Sequence, residues 1–76
     1  SVLSNQGLIH LAKKEYKDAL KKFITDKEIQ DNLKLTTTEE YAVTLSNLGL
    51  TLAELGQDAK AKELFNQAEK IKKLRK

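Results

Sequence analysis

The chain has no cysteine, no proline, no tryptophan and no methionine, and only three glycines. Without cysteine there is no disulfide and no thiolate metal site to supplement a small core. The lack of cysteine fits a reducing compartment, and the expected location is cytoplasmic. No apolar run approaches the roughly 18–20 residues that span a bilayer, so no membrane insertion is expected. No signal-peptide pattern is present. The chain starts at Ser1 without Met, which reads as a segment of a longer protein, with targeting signals free to lie outside it.

Arginine is also scarce. Of the fourteen basic residues only Arg75 is arginine, and the net charge is +3. Bidentate recognition of phosphate or guanine favours arginine over lysine. A modest lysine excess with acids interspersed therefore points to solubility rather than to nucleic acid. The catalytic signatures are missing too. There is no GxSxG, no phosphate-binding glycine loop, no HExxH and no carboxylate pair at a defended spacing. The chain reads as non-catalytic, with no cofactor, no metal site and no small-molecule substrate.

What remains is a sequence rich in Lys, Glu, Leu, Ala and Gln, all good helix formers. Its 76 residues make at most one domain, residues 1–76, and 39% of them are hydrophobic, enough for a packed core. The strongest signal is an internal repeat. Leu3, Ser4, Asn5, Gly7, Ala19, Phe23 and Ile29 recur as Leu45, Ser46, Asn47, Gly49, Ala61, Phe65 and Ile71, at an offset of forty-two residues. Each copy places Gly twelve residues before Ala, and Ala four before Phe. Repeats at such periods mark stacked supersecondary units.

Four helices follow from the apolar spacing. The first covers residues 1–13, with Val2, Leu3, Leu8, Ile9, Leu11 and Ala12 near helical period. Gly7 lies inside it at a cost of about 1 kcal/mol relative to Ala. A Gly at the same phase in both copies predicts a close backbone approach where the next helix crosses. Lys13-Lys14-Glu15 is the turn. The second helix runs from about Glu15 to Leu33, with Tyr16, Ala19, Leu20, Phe23, Ile24, Ile29 and Leu33 as its apolar positions. Two overlapping capping boxes, Thr36 with Glu39 and Thr37 with Glu40, start the third helix near Thr37 or Thr38. That helix runs to about Leu55. Tyr41, Leu45, Leu48 and Leu52 form its stripe, widened by Val43, Leu50 and Ala53. Gly56 ends it in the left-handed conformation. The fourth helix starts near Gln57 or Asp58 and buries Ala61, Leu64, Phe65, Ala68, Ile71 and Leu74. The expected fold class is all-α: antiparallel helix-turn-helix repeats of an α-solenoid, in units of about 1–34 and 38–76.

These residues resemble the tetratricopeptide repeat, whose pattern is W-x2-L-G-x2-Y, then A-x3-F, then P. In the second copy Leu45, Leu48-Gly49, Leu52, Ala61 and Phe65 take those places. In the first, Leu3, Gly7, His10, Ala19 and Phe23 do. Gln6 stands where Leu is expected, Asp58 where an aromatic is usual, and the closing Pro is missing. The forty-two-residue period is similar to that of the long-period subgroup of kinesin light chains and related adaptors.

The resemblance implies a protein-binding scaffold, with the first helix of each unit lining a concave groove for a peptide or a partner helix. The groove positions it implies are Ser1, Ser4, Asn5, Leu8, Leu11 and Ala12, then Val43, Ser46, Asn47, Leu50, Ala53 and Glu54. Asn5, Asn47, Ser4, Leu8, Ser46, Leu50 and Glu54 are the site candidates. Asn5 and Asn47 stand out on physical grounds, because Asn is a poor helix-interior residue and its amide suits a peptide backbone. The carboxylate-clamp variant is disfavoured, since Ser4 and Leu8 stand where its Lys and Asn belong. The lone His10 reads as a packed or surface residue, and the lysine-rich end, Lys70 to Lys76, as a solvated helix end. Two alternatives remain. One is a spacer or self-associating piece of a longer array, a homo-oligomer joined through apolar ends such as Val2, Leu3 and Leu11. The other is electrostatic binding of nucleic acid through the lysine faces.

Overall fold

The structure is a computed structural model that describes residues 2–74. The expectations placed on Ser1, Arg75 and Lys76 lie outside them. Four helices occur in the order α1 (Val2–Ala12), α2 (Tyr16–Asn32), α3 (Glu39–Glu54) and α4 (Asp58–Leu74), and no strand occurs among the described residues. Each boundary lies within a residue or two of the position read from the spacing.

Three turns share one geometry. After α1 the Glu15 N–H donates to the His10 carbonyl at 2.8 Å and the Lys14 N–H to the Leu11 carbonyl at 3.0 Å. After α2 the Leu35 N–H reaches the Gln30 carbonyl, and after α3 the Gln57 N–H reaches the Leu52 carbonyl. Each is the paired closure that satisfies the last carbonyls of a helix when the next residue turns left-handed. Gly56 does so at φ 83°, but Lys14 (φ 62°) and Lys34 (φ 57°) do so with a side chain. The start of α3 departs from the expected capping boxes. The cap falls on Thr38, whose hydroxyl accepts from the Tyr41 N–H at 3.0 Å. Thr38 is the last residue with extended backbone (ψ 156°), and only the residue at that bend can present its oxygen to the first free N–H groups.

Helices α1 and α2 pack as one antiparallel pair, α3 and α4 as another, and α2 joins the pairs by packing on α3. The core has two parts. Ala19, Phe23, Leu48, Leu52 and Ala61 form one, sealed by Leu11, Leu20, Ala53 and Leu64. Tyr41, Ala42, Leu45, Ala68 and Ile71 form the other, with Leu64 against both. The first draws residues from both units, which welds them together.

The expected glycine crossing is present twice. A Cβ on Gly7 would sit 2.5 Å from Phe23 Cε1, and one on Gly49 would sit 3.0 Å from Phe65 Cε1. Each glycine lets the phenylalanine of the following helix lie against bare backbone.

Several apolar assignments need correction. Ile24 and Ile29 of α2, Leu33 just after it, Val43 and Leu50 of α3, and Phe65 and Leu74 of α4 are exposed. On α3 the buried stripe is widened by Ala42, Thr44 and Thr51 instead. On α2 the buried places after Phe23 belong to Asp26 and Gln30. The reason is a polar seam between α2 and α3. Gln30 Nε2 donates to Thr44 Oγ1 at 2.9 Å, and Thr44 Oγ1 lies 3.3 Å from Asp26 Oδ2. Burial of such groups is tolerable where they bond one another, as Gln30 Nε2 does with Thr44; Gln30 Oε1 is shielded and finds no partner among the described residues. Beside them the Tyr41 hydroxyl donates to Asp31 Oδ1 at 2.6 Å, and Lys27 Nζ donates to Asp31 Oδ2 at 2.9 Å. The Lys27 ammonium and then the Tyr41 hydroxyl hold the Asp31 carboxyl below its ordinary value. Burial, and next the Asp31 carboxylate, push the Tyr41 hydroxyl up.

Candidate functional site

The first helix of each pair, α1 and α3, lie side by side with little direct contact, because α2 holds them apart. Val43, Asn47, Leu50 and Glu54 recur along α3 at helical spacing on the stripe away from the core. Val43, Leu50 and Glu54 are exposed, and Asn47 is half-buried. On α1 the matching places hold Asn5, Leu8 and Ala12, all exposed. Ser4 and Ser46 are half-buried beside them.

The structure brings part of this set together. Leu11 and Ala12 of α1, Lys14 of the turn, Tyr16 of α2, and Leu50 and Glu54 of α3 line one hollow of about 180 Å³. Partial desolvation first, and then the neighbouring Glu54 carboxylate, raise the Tyr16 hydroxyl above its ordinary value. The hollow thus has an apolar floor and a polar rim of Lys14, Tyr16 and Glu54. Asn5, Ser4, Leu8 and Ser46 do not line it. Tyr16 and Lys14 were missed from the site candidates. They stand outside the first helix of their unit, and Tyr16 falls on an apolar stripe that reads as core.

Asn47 and Asn5 prove different. Asn5 is exposed. Asn47 carries a shielded Nδ2 that finds no hydrogen-bond partner among the described residues, while its backbone carbonyl accepts from Thr51 Oγ1 at 2.8 Å. A shielded donor without a partner costs roughly 1–3 kcal/mol.

A second hollow of about 270 Å³ lies at the other end, between Thr36, Tyr41, Leu45, Gln67, Lys70 and Ile71. None of the site candidates lines it. His10 is not isolated: its Nδ1 lies 2.9 Å from Glu15 Oε1, and one ligand atom each from His10, Glu15 and Asp18 lie within 4.8 Å of one another. The turn itself makes this cluster, since the Glu15 N–H is tied to the His10 carbonyl. Lys13 and Lys14 of the turn and Lys17 of α2 stand beside these residues in sequence and add positive charge.

Two antiparallel helix pairs, crossing at a glycine and a phenylalanine in the same phase, define an all-α helical repeat protein. The chain belongs to the tetratricopeptide repeat family, whose model matches residues 1–73. Such repeats generally mediate protein–protein interaction and are typically non-catalytic. No curated protein and no solved structure matches the chain. Among the described residues no helix is long and apolar enough to cross a membrane.

Proposed function

We propose that residues 1–76 act as one interaction domain whose α1/α3 face takes a peptide or a partner helix. Asn47 supplies a hydrogen-bond donor, and Leu50, Glu54 and Leu8 supply flanking contacts. Ser4, Asn5 and Ser46 add polar contacts along the same face, outside the hollow. The carrying observation is the partnerless Nδ2 of Asn47. Asn is also a poor residue for the middle of a helix. It therefore weakens the unbound fold on two counts, and a carbonyl of a bound chain would satisfy it once the side chain turns its shielded Nδ2 toward that chain. The hollow that ends in Lys14, Tyr16 and Glu54 offers a place for an apolar side chain with a polar tip. The forty-two-residue period supports grouping the chain with the long-period, kinesin-light-chain-like repeats.

The test follows from the same physics. Asn47→Ala removes an unsatisfied donor and improves helix propensity, so stability is expected to hold or rise by up to about 1 kcal/mol. Affinity for a peptide selected from a displayed library against this chain is expected to drop about tenfold. A variant that melts earlier, or that binds the peptide as well as the parent, removes Asn47 from the site.

A further inference from the structure

The contact between α2 and α3 is a template for the open face of α4. At the repeat offset Ala19 and Phe23 of α2 become Ala61 and Phe65 of α4. Phe23 is fully covered, because α3 lies over it, whereas Phe65 keeps 38% of its surface exposed. The remaining α2 residues that α3 meets do not repeat. Asp26 becomes Ala68, Gln30 becomes Lys72 and Leu20 becomes Lys62. The face has kept its aromatic centre and turned from acidic and neutral to basic. Lys27 and Asp31 become Glu69 and Lys73, a pair four residues apart that offset each other's charge. Lys72, in the place of Gln30, sets the sign of that end.

From this register we infer that α4 docks an amphipathic partner helix in the pose α3 takes on α2. That helix carries a carboxylate where α3 carries Thr44, opposite Lys72. In the template this place is dry: Thr44 is 1% exposed and Gln30 5%. A lysine brought into it must be paired, because an unpaired desolvated ammonium is far costlier than a neutral amide. Thr44 stands in the second turn of α3, so an acid at that place meets Lys72 as a side-chain partner rather than through the end of the helix. A second copy of this chain fits poorly. Its α1 would place Val2 at the Thr44 position and carries no Asp or Glu at all. This surface is separate from the α1/α3 groove, and either can fail alone.

The experiment uses three helix-stapled peptides on the full chain: the sequence of Thr38–Leu55, the same sequence with Thr44→Glu, and the sequence of Val2–Ala12. Fluorescence anisotropy measures affinity, and amide chemical shifts locate the contact. The Thr44→Glu peptide is expected to bind about tenfold tighter than its parent, to shift amides around Phe65 and Lys72, and to weaken as salt rises. On a Lys72→Glu protein the preference is expected to reverse. Lys72 is exposed, so that variant keeps its fold. Equal binding of the two long peptides, a preference that survives Lys72→Glu, shifts confined to α1 and α3, or no binding at all overturns the inference. So does tightest binding of the Val2–Ala12 peptide, which would make a second copy the occupant.

Discussion

Phe23 and Phe65 hold the same place in the two units, and each lies on a glycine of the preceding helix. Their surroundings differ. Phe23 is closed over by Leu48 and Leu52 of the next unit, and Phe65 is open on that side. Ile29 and Ile71 differ in the opposite sense: Ile29 is 45% exposed, whereas Ile71 is buried at 8% beneath Tyr41, Ala42 and Leu45. Shared sequence therefore fixes the crossing inside each pair. What covers the outer face depends on the neighbour. In the first unit that neighbour is α3, and it brings its own polar seam.

The largest test of this contrast is truncation of the two rings. Phe23→Ala is expected to cost about 3–5 kcal/mol, as for a buried aromatic. Phe65→Ala is expected to cost roughly 1–2 kcal/mol, because much of its surface already meets water. Urea denaturation of both variants measures the gap, and equal losses would break the comparison.

The glycines give a smaller gap of the same sign. A methyl at Gly7 meets three atoms of a ring that cannot move, at 2.5, 2.7 and 2.9 Å. Gly7→Ala is expected to cost about 1–3 kcal/mol. At Gly49 the ring at 3.0 Å can swing outward, although the Ala61 carbonyl at 3.2 Å cannot. Gly49→Ala recovers about 1 kcal/mol of helix propensity, so its net effect is expected to stay within about 1 kcal/mol of zero. A thermal melt that ranks Gly49→Ala as the worse variant contradicts the open ring.

The turns supply the smallest effect. Lys14 and Lys34 adopt the left-handed backbone that Gly56 adopts freely. Lys14→Gly and Lys34→Gly are expected to gain about 0.5–1 kcal/mol, and Gly56→Ala to lose a similar amount. Nothing lies within 4 Å of the methyl that Gly56→Ala would add, so any loss there is purely conformational. Melting temperatures of the three variants separate backbone strain from packing.

The helices, the glycine crossing and the Gly56 turn were legible in the sequence because each rests on local spacing. The polar seam was not, since an apolar stripe is built from apolar residues and leaves Asp26 and Gln30 out. They lie three and seven residues after Phe23, on its own stripe, and that was the available signal. What spacing cannot show is that Thr44, far along the chain, waits to hydrogen-bond them. The left-handed lysines escaped for a related reason, because glycine is the residue that advertises such a turn. Of the site, Leu50 and Glu54 were placed on the groove side by the family resemblance, and both line the hollow. The difference between Asn5 and Asn47 could not, because identical residues at identical phase have different neighbours in the two units.

The binding face is tested most directly by nitrogen-detected shifts of side-chain amides while the library-selected peptide is added. The Asn47 Nδ2 resonance is expected to move most, together with the backbone amides of Leu8, Leu50 and Glu54, and Asn47→Ala is expected to weaken that binding about tenfold without lowering the melting temperature. An unmoved Asn47 amide, with shifts gathered on α2 or on α4 alone, would contradict the assignment of the α1/α3 face.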